Sequence, residues 1–271
     1  MTSVTGVSTG VPKFSQKLLV TVTGTALDRG LSVSSPACSG MTLSSTAPNV
    51  STATTAYFQC TVSAVGVSRV GVAAATGGAE LGSVSVTVPS PQVTMAVSNG
   101  AAVNGSFVIT LDPAKAPITV NNFLSYVNAG FYDGRDAPAT KTVFHRVIAG
   151  FVVQGGGITP YASGATPVVK AASAPIALEV GVGLSNVQWS VAMARGNTAN
   201  SANSQFFINL VDNSASNDPS SVSAGYAVFG NVSAGTAVVT SMLAAPCAPI
   251  VGLSECAPNP NIVITSATQT Q

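Results

Sequence analysis

The chain has 271 residues, 46% of them hydrophobic, which is enough apolar side chain for one or two domains with proper cores. Charged residues make up 7% against roughly 25% in an ordinary soluble domain, and the net charge is +1. No basic or acidic field is present to steer nucleic acid or an anionic membrane, and no run reaches the ~18 apolar residues of a membrane span.

Met1 is not followed by a basic segment and an apolar stretch, so no signal segment is expected; an exported protein would be in its mature form here. Residues 1–16 are rich in Ser, Thr, Gly and Val without a clear period and read as a flexible arm. In residues 17–89, Leu18, Val20 and Val22 alternate with threonines. Phe58, Cys60 and Val62 alternate with Gln59, Thr61 and Ser63, and Val84, Val86 and Val88 alternate with Ser83, Ser85 and Thr87. Short alternating runs between Gly, Ser, Asn and Pro clusters predict a small antiparallel β-sandwich. Pro89-Ser90-Pro91 then breaks the ladder and reads as a linker.

The pattern changes over residues 92–269. Phe107, Ile109 and Leu111 alternate as a strand. Thr119 is a candidate N-cap for a helix carrying Val120, Phe123, Leu124 and Val127 at helical spacing, with Gly130 as its stop. Strands are predicted at residues 143–148, 152–154, 191–193, 205–209, 227–232 and 262–265, and a second helix at 236–243. Many short strands with two helices predict a mainly β fold, a closed antiparallel barrel capped by the helices.

The four cysteines, Cys38, Cys60, Cys247 and Cys256, form no CxxC pair. With a single histidine, His145, they give no metal site. An even cysteine count fits an oxidising compartment. Four cysteines allow three pairings; Cys38–Cys60 and Cys247–Cys256 are predicted because each pair falls within one expected domain.

Five motifs carry the chemistry: Phe144-His145-Arg146-Val147-Ile148; Gly150-Phe151-Val152-Val153-Gln154-Gly155-Gly156-Gly157; Ala192-Met193-Ala194-Arg195; Ser204-Gln205-Phe206-Phe207-Ile208-Asn209; and Gly225-Tyr226-Ala227-Val228-Phe229-Gly230. Their order and spacing closely resemble the bacterial branch of the cyclophilins, over roughly residues 93–268. The resemblance implies peptidyl-prolyl cis/trans isomerase activity on X-Pro bonds of unfolded or exposed polypeptide segments, with no cofactor. It implies Arg146, Phe151 and Gln154 as catalytic residues. Phe144, Val152, Ala194, Arg195, Gln205, Phe207 and Tyr226 are implied as substrate-binding residues.

The residue types suit the reaction. Rotation about an X-Pro bond has a barrier near ~20 kcal/mol and makes or breaks no covalent bond. An always-charged, rigid guanidinium can donate to the prolyl nitrogen as it pyramidalises, an apolar pocket can hold the ring, and amides can hold the backbone. Arg146 is expected as the only charge in the groove. His145, its strand neighbour, is expected to face elsewhere and to be structural. Gly155-Gly156-Gly157 lacks the Lys-Ser/Thr pair of a phosphate loop, and no Gly-x-Ser-x-Gly elbow marks a hydrolase.

Three departures from the family pattern stand out. Residues 133–142 look like a loop insertion. Trp189 stands where a glycine usually precedes the Met-Ala strand. Counting seven residues from Ile208, where the family usually has Trp or Phe and then Leu, gives Ala215 and Ser216. That count implies a thinned pocket wall and weak binding of cyclosporin. A monomer, outside the cytoplasm or periplasmic, with proline-containing polypeptides as partners is expected. The alternatives are a non-catalytic module that merely holds proline peptides, or an isomerase carried by an adhesive or anchoring sandwich.

Overall fold

Val20 and Val22 on one strand and Ala56 and Phe58 on another point to the same side of a sheet, and this period of two builds the N-terminal part of the protein. In the computed structural model, which describes residues 1–74 and 78–271, its strands are β1 (Ser3–Thr9), β2 (Lys17–Thr25), β3 (Ser32–Ser34), β4 (Cys38–Leu43), β5 (Thr55–Val62), β6 (Gly66–Ala73) and β7 (Glu80–Val88). They form two antiparallel sheets, ordered β1-β2-β5-β4 and β3-β6-β7. Val20, Val22 and Phe58 from the first sheet share a core with Val33, Val70, Val72 and Val86 from the second. Four and three strands in this order are the arrangement of a constant-type immunoglobulin sandwich.

Residues 3–9 are not a flexible arm. They pair with β2 from Ser3 opposite Thr25 to Thr9 opposite Val20. A shift of register between Val4 and Gly6 spaces the two inward valines, Val4 and Val7, three apart, so the alternation that marks a strand is broken in the sequence. Cys38 and Cys60 are disulfide-bonded between β4 and β5, with Cα atoms 5.6 Å apart.

The chain divides into two compact units, Met1–Ser90 (with Gln271) and Pro91–Thr270. The second contains β8 (Gln92–Ser98), β9 (Asn104–Leu111), α1 (Pro117–Ala129), β10 (Val143–Val147), β11 (Val152–Ile158), β12 (Ser190–Met193), β13 (Phe206–Asn209), α2 (Ser214–Asn217), β14 (Val228–Ala234), α3 (Thr236–Ser241), β15 (Cys247–Ile250), β16 (Leu253–Pro258) and β17 (Ile262–Gln269). Eight of these strands close a barrel in the order β10-β11-β13-β12-β14-β9-β8-β17. The barrel is antiparallel and mainly β, as its short alternating strands predict. Among the described residues no helix is long and apolar enough to cross a membrane.

The barrel core is aromatic. Phe123 of α1 stacks within 5.4 Å of Phe206 and 5.0 Å of Phe229, and Phe206 lies 5.7 Å from Phe144. Thr119 is not the N-cap of α1. Pro117 opens the helix, and the distant carboxylate of Glu179 takes the Ile118 and Thr119 N–H groups at 3.1 and 2.6 Å and the Thr119 hydroxyl at 2.7 Å. The helix ends at Gly130 with φ +78, where Gly130 N–H reaches Val127 and Phe131 N–H reaches Tyr126.

Trp189 occupies the left-handed region at φ +65, which explains why a glycine suits this place. Its N–H and C=O bond Asn209 and Val232. Within residues 133–142, Lys170 reaches Asp136 at 2.8 Å and the carbonyl of Thr140 at 2.6 Å.

Candidate active site

The site forms on the outer face of the strands that also line the barrel. Val152, Gln154, Ala192 and Phe207 project outward, while Val153, Val191, Phe206 and Ile208 are fully buried on the other side. β10 departs from this alternation. Phe144 pairs with Gly155 but Arg146 pairs with Gln154, so His145 is an extra residue in the ladder. Such a bulge re-aims the next side chain. Phe144 therefore turns into the barrel, where its ring fits because Gly155 has no Cβ; one placed there would lie 2.9 Å from the ring. Arg146 turns outward beside Gln154.

A groove of about 340 Å³ follows. Arg146, Phe151, Val152, Gln154, Ala194, Arg195, Phe207 and Tyr226, named above from sequence, line it together with Asn217. Val152, Ala192, Phe207 and Val228 form its apolar floor. The Phe207 and Tyr226 rings meet edge to face at 5.4 Å, and the Arg195 guanidinium lies 4.8 Å over Tyr226. Gln205 lies in an adjoining hollow that shares Gln154, Ala194 and Arg195 with the groove. Phe144 does not line the groove; the bulge explains why.

The polar edge is a relay. Gln205 Oε1 accepts from Gln154 Nε2 at 3.1 Å, and Gln154 Oε1 accepts from Arg146 Nη1 at 3.3 Å. The guanidinium carbon lies 5.7 Å over the Phe151 ring. Arg146 is not the only charge of the site. Arg195 lies across the groove, and Glu255 accepts from Arg146 Nε at 3.3 Å and Nη2 at 2.9 Å. Of the five guanidinium N–H bonds these contacts engage three. Two, one on each terminal nitrogen, keep no protein acceptor among the described residues.

Behind the groove, Asn186 Nδ2 donates to Asp218 Oδ1 at 2.8 Å and to the carbonyls of Asn217 and Tyr226 at 3.1 and 3.3 Å. Tyr226 N–H donates to the Asn217 carbonyl at 2.9 Å. This buried network sets the wall. In α2, Ala215 and Ser216, the residues reached by counting from Ile208, are exposed, and Asn217 is the buried, groove-lining residue. An amide therefore forms part of the groove lining. Nothing in the local sequence marks Asn217 as a groove residue; its place follows from the hydrogen bonds of the Asn186 and Asp218 network. Among the described residues no three His, Cys, Asp or Glu side chains gather as a metal would require.

His145 is buried, its Nδ1 has no partner among the described residues, and burial lowers its pKa to about 4. The folded state therefore binds fewer protons than the unfolded state between pH ~6.5 and ~4, so stability falls as pH drops through that window. The full loss is on the order of 3 kcal/mol. His145→Gln should flatten the urea-unfolding stability between pH 7 and pH 4 while leaving turnover unchanged. An identical pH slope in both proteins would show that His145 charges freely in the fold.

A sequence model of the family described as "Cyclophilin type peptidyl-prolyl cis-trans isomerase/CLD" matches residues 92–269. The chain is 46% identical over 140 residues to a peptidyl-prolyl cis-trans isomerase of Streptomyces antibioticus, covering 51% of this chain and 77% of that protein. It is 42% identical over 163 residues to peptidyl-prolyl cis-trans isomerase A of Dickeya dadantii, covering 60% and 78%. With peptidyl-prolyl cis-trans isomerase B of Escherichia coli it shares 39% identity over 167 residues, covering 61% and 94%.

Proposed function

Because the chain belongs to the cyclophilin-type peptidyl-prolyl cis/trans isomerases through residues 92–269, and is such an isomerase, we propose that the groove of Arg146 is where it turns X-Pro bonds. One observation carries the assignment: a guanidinium with two uncommitted N–H bonds stands at the edge of an apolar pocket. The proline ring packs on Phe207, Val152 and Phe151. Arg146 donates to the prolyl nitrogen as its lone pair is freed from the amide, which lowers the double-bond character that sets the ~20 kcal/mol barrier. Gln154 orients the guanidinium and offers an amide to the substrate backbone, with Gln205 behind it. Arg195, held by the Gly225 carbonyl at 2.8 Å, and Ala194 form the far edge.

The natural substrates in this reading are proline-containing segments of unfolded or exposed chains, and the service is folding assistance. Two disulfides support an extracytoplasmic, periplasmic-type setting, since such bonds persist in oxidising compartments. A protease-coupled assay on a short X-Pro peptide separates catalysis from mere binding. The full chain should accelerate the slow phase in proportion to its concentration. Tight peptide binding with an unaltered slow phase would make the groove a holding module.

The two units should also separate. The Pro89-Ser90-Pro91 break lies at the boundary between the compact units. A fragment of residues 91–271 should fold and keep full kcat/KM. Aggregation of the fragment, or loss of most of its activity, would make the sandwich part of the catalytic unit.

A further inference from the structure

Between α3 and β17 the chain detours through β15 and β16, which pair antiparallel from Cys247 opposite Pro258 to Ile250 opposite Leu253. A disulfide joins Cys247 to Cys256, with Cα atoms 5.0 Å apart, and closes the hairpin one residue from Glu255. β16 lies against β10, the strand that carries Arg146. The hairpin is also tied on another side. The Tyr161 hydroxyl donates to the Pro258 carbonyl at 3.1 Å, and the Val251 N–H donates to the Ala165 carbonyl at 3.1 Å.

The position of Glu255 is therefore set by covalent closure and by backbone hydrogen bonds as well as by its ion pair. Its Oε1 takes the Nε and Nη2 edge of Arg146, Gln154 takes Nη1, and Phe151 covers a face. A free arginine side chain carries substantial rotamer entropy, lost in any ordered engagement with substrate. A side chain already held on two edges and a face has largely lost it before substrate arrives. The guanidinium stays charged beside a carboxylate, so the clamp costs no donor beyond those it uses.

We propose that Glu255 is a positioning residue of this isomerase: the disulfide-closed hairpin holds its carboxylate against one edge of Arg146, so that the two remaining N–H bonds are presented to the substrate. The inference rests on the reading of Arg146 as the catalytic group. The ion pair is partly solvated, with side chains 23% and 37% exposed, so its effect is modest. Loss of the clamp should lower kcat/KM about two- to fivefold, carried mostly by kcat, because the proline pocket does not use Glu255.

The experiment is a coupling cycle on the full chain, read by protease-coupled kinetics and thermal unfolding. Glu255→Gln should show the loss with an unchanged Tm. The pair Cys247→Ser, Cys256→Ser, which leaves the other disulfide intact, should show a similar loss. Combining it with Glu255→Gln should add little, since both act through one contact. In an Arg146→Ala background, Glu255→Gln should have no effect. A wild-type or faster rate for Glu255→Gln, or an undiminished loss in the Arg146→Ala background, would overturn the positioning role while leaving Arg146 as the catalytic group. Full turnover by Arg146→Ala alone would overturn both.

Discussion

Arg146→Ala should lower kcat/KM by about two orders of magnitude while the protein stays folded. Removing one preorganised donor from the transition state typically costs ~3 kcal/mol. The fold should tolerate it because the buried packing of β10 comes from Val143, Phe144 and Val147, which point away from the groove or into the barrel. Arg146→Lys should fare little better than Ala. One ammonium cannot hold Gln154 and Glu255 and still present a fork to the prolyl nitrogen. Kinetics of both variants beside His145→Gln check the assignment. Equal losses at positions 145 and 146 would contradict it, since the structure turns one side chain inward and the other to the groove.

Phe207→Ala should damage both stability and catalysis. The ring is 4% exposed, forms the floor with Val152, Ala192 and Val228, and meets Tyr226 edge to face. Truncating a buried phenylalanine costs about 3–5 kcal/mol, which for a unit of this size lowers Tm by roughly 10 °C. The same truncation removes the surface proposed to hold the proline ring, so kcat/KM should fall more than tenfold even at temperatures where the variant is fully folded. Phe207→Leu keeps more of the volume and should recover most of the Tm but only part of the activity. Calorimetry and kinetics on the three proteins test this. Wild-type kcat/KM in a folded Phe207→Ala variant would place the proline ring elsewhere.

Much of this arrangement is legible in the sequence because it is local. Strand alternation at Phe107, Ile109 and Leu111 marks a barrel strand, and the resemblance carried by the five motifs points to eight of the groove residues by number. The two disulfides follow from placing each cysteine pair in one unit. What the sequence conceals depends on register or on distance along the chain. The bulge at His145 sends Phe144 inward against the simple alternation that would put it beside Arg146. The bulge after Val4 hides a strand in residues 3–9. Glu255 lies 109 residues from Arg146, and no spacing rule connects two side chains brought together by a hairpin folding back on β10. Asn217 reaches the groove only because the Asn186 and Asp218 network fixes the loop after β13, so counting from Ile208 ends on the exposed Ala215.

The central claim, catalysis of X-Pro rotation in the groove of Arg146, is tested most directly by exchange NMR on a proline tetrapeptide with a catalytic amount of isotope-labelled protein. The account predicts exchange cross-peaks between the cis and trans peptide, together with protein shift changes centred on Arg146, Gln154, Phe207 and Tyr226. The exchange rate should fall about a hundredfold in Arg146→Ala while the shift changes around Phe207 persist. Shift changes without exchange in the unsubstituted chain, or exchange accompanied by shifts away from this groove, would contradict it.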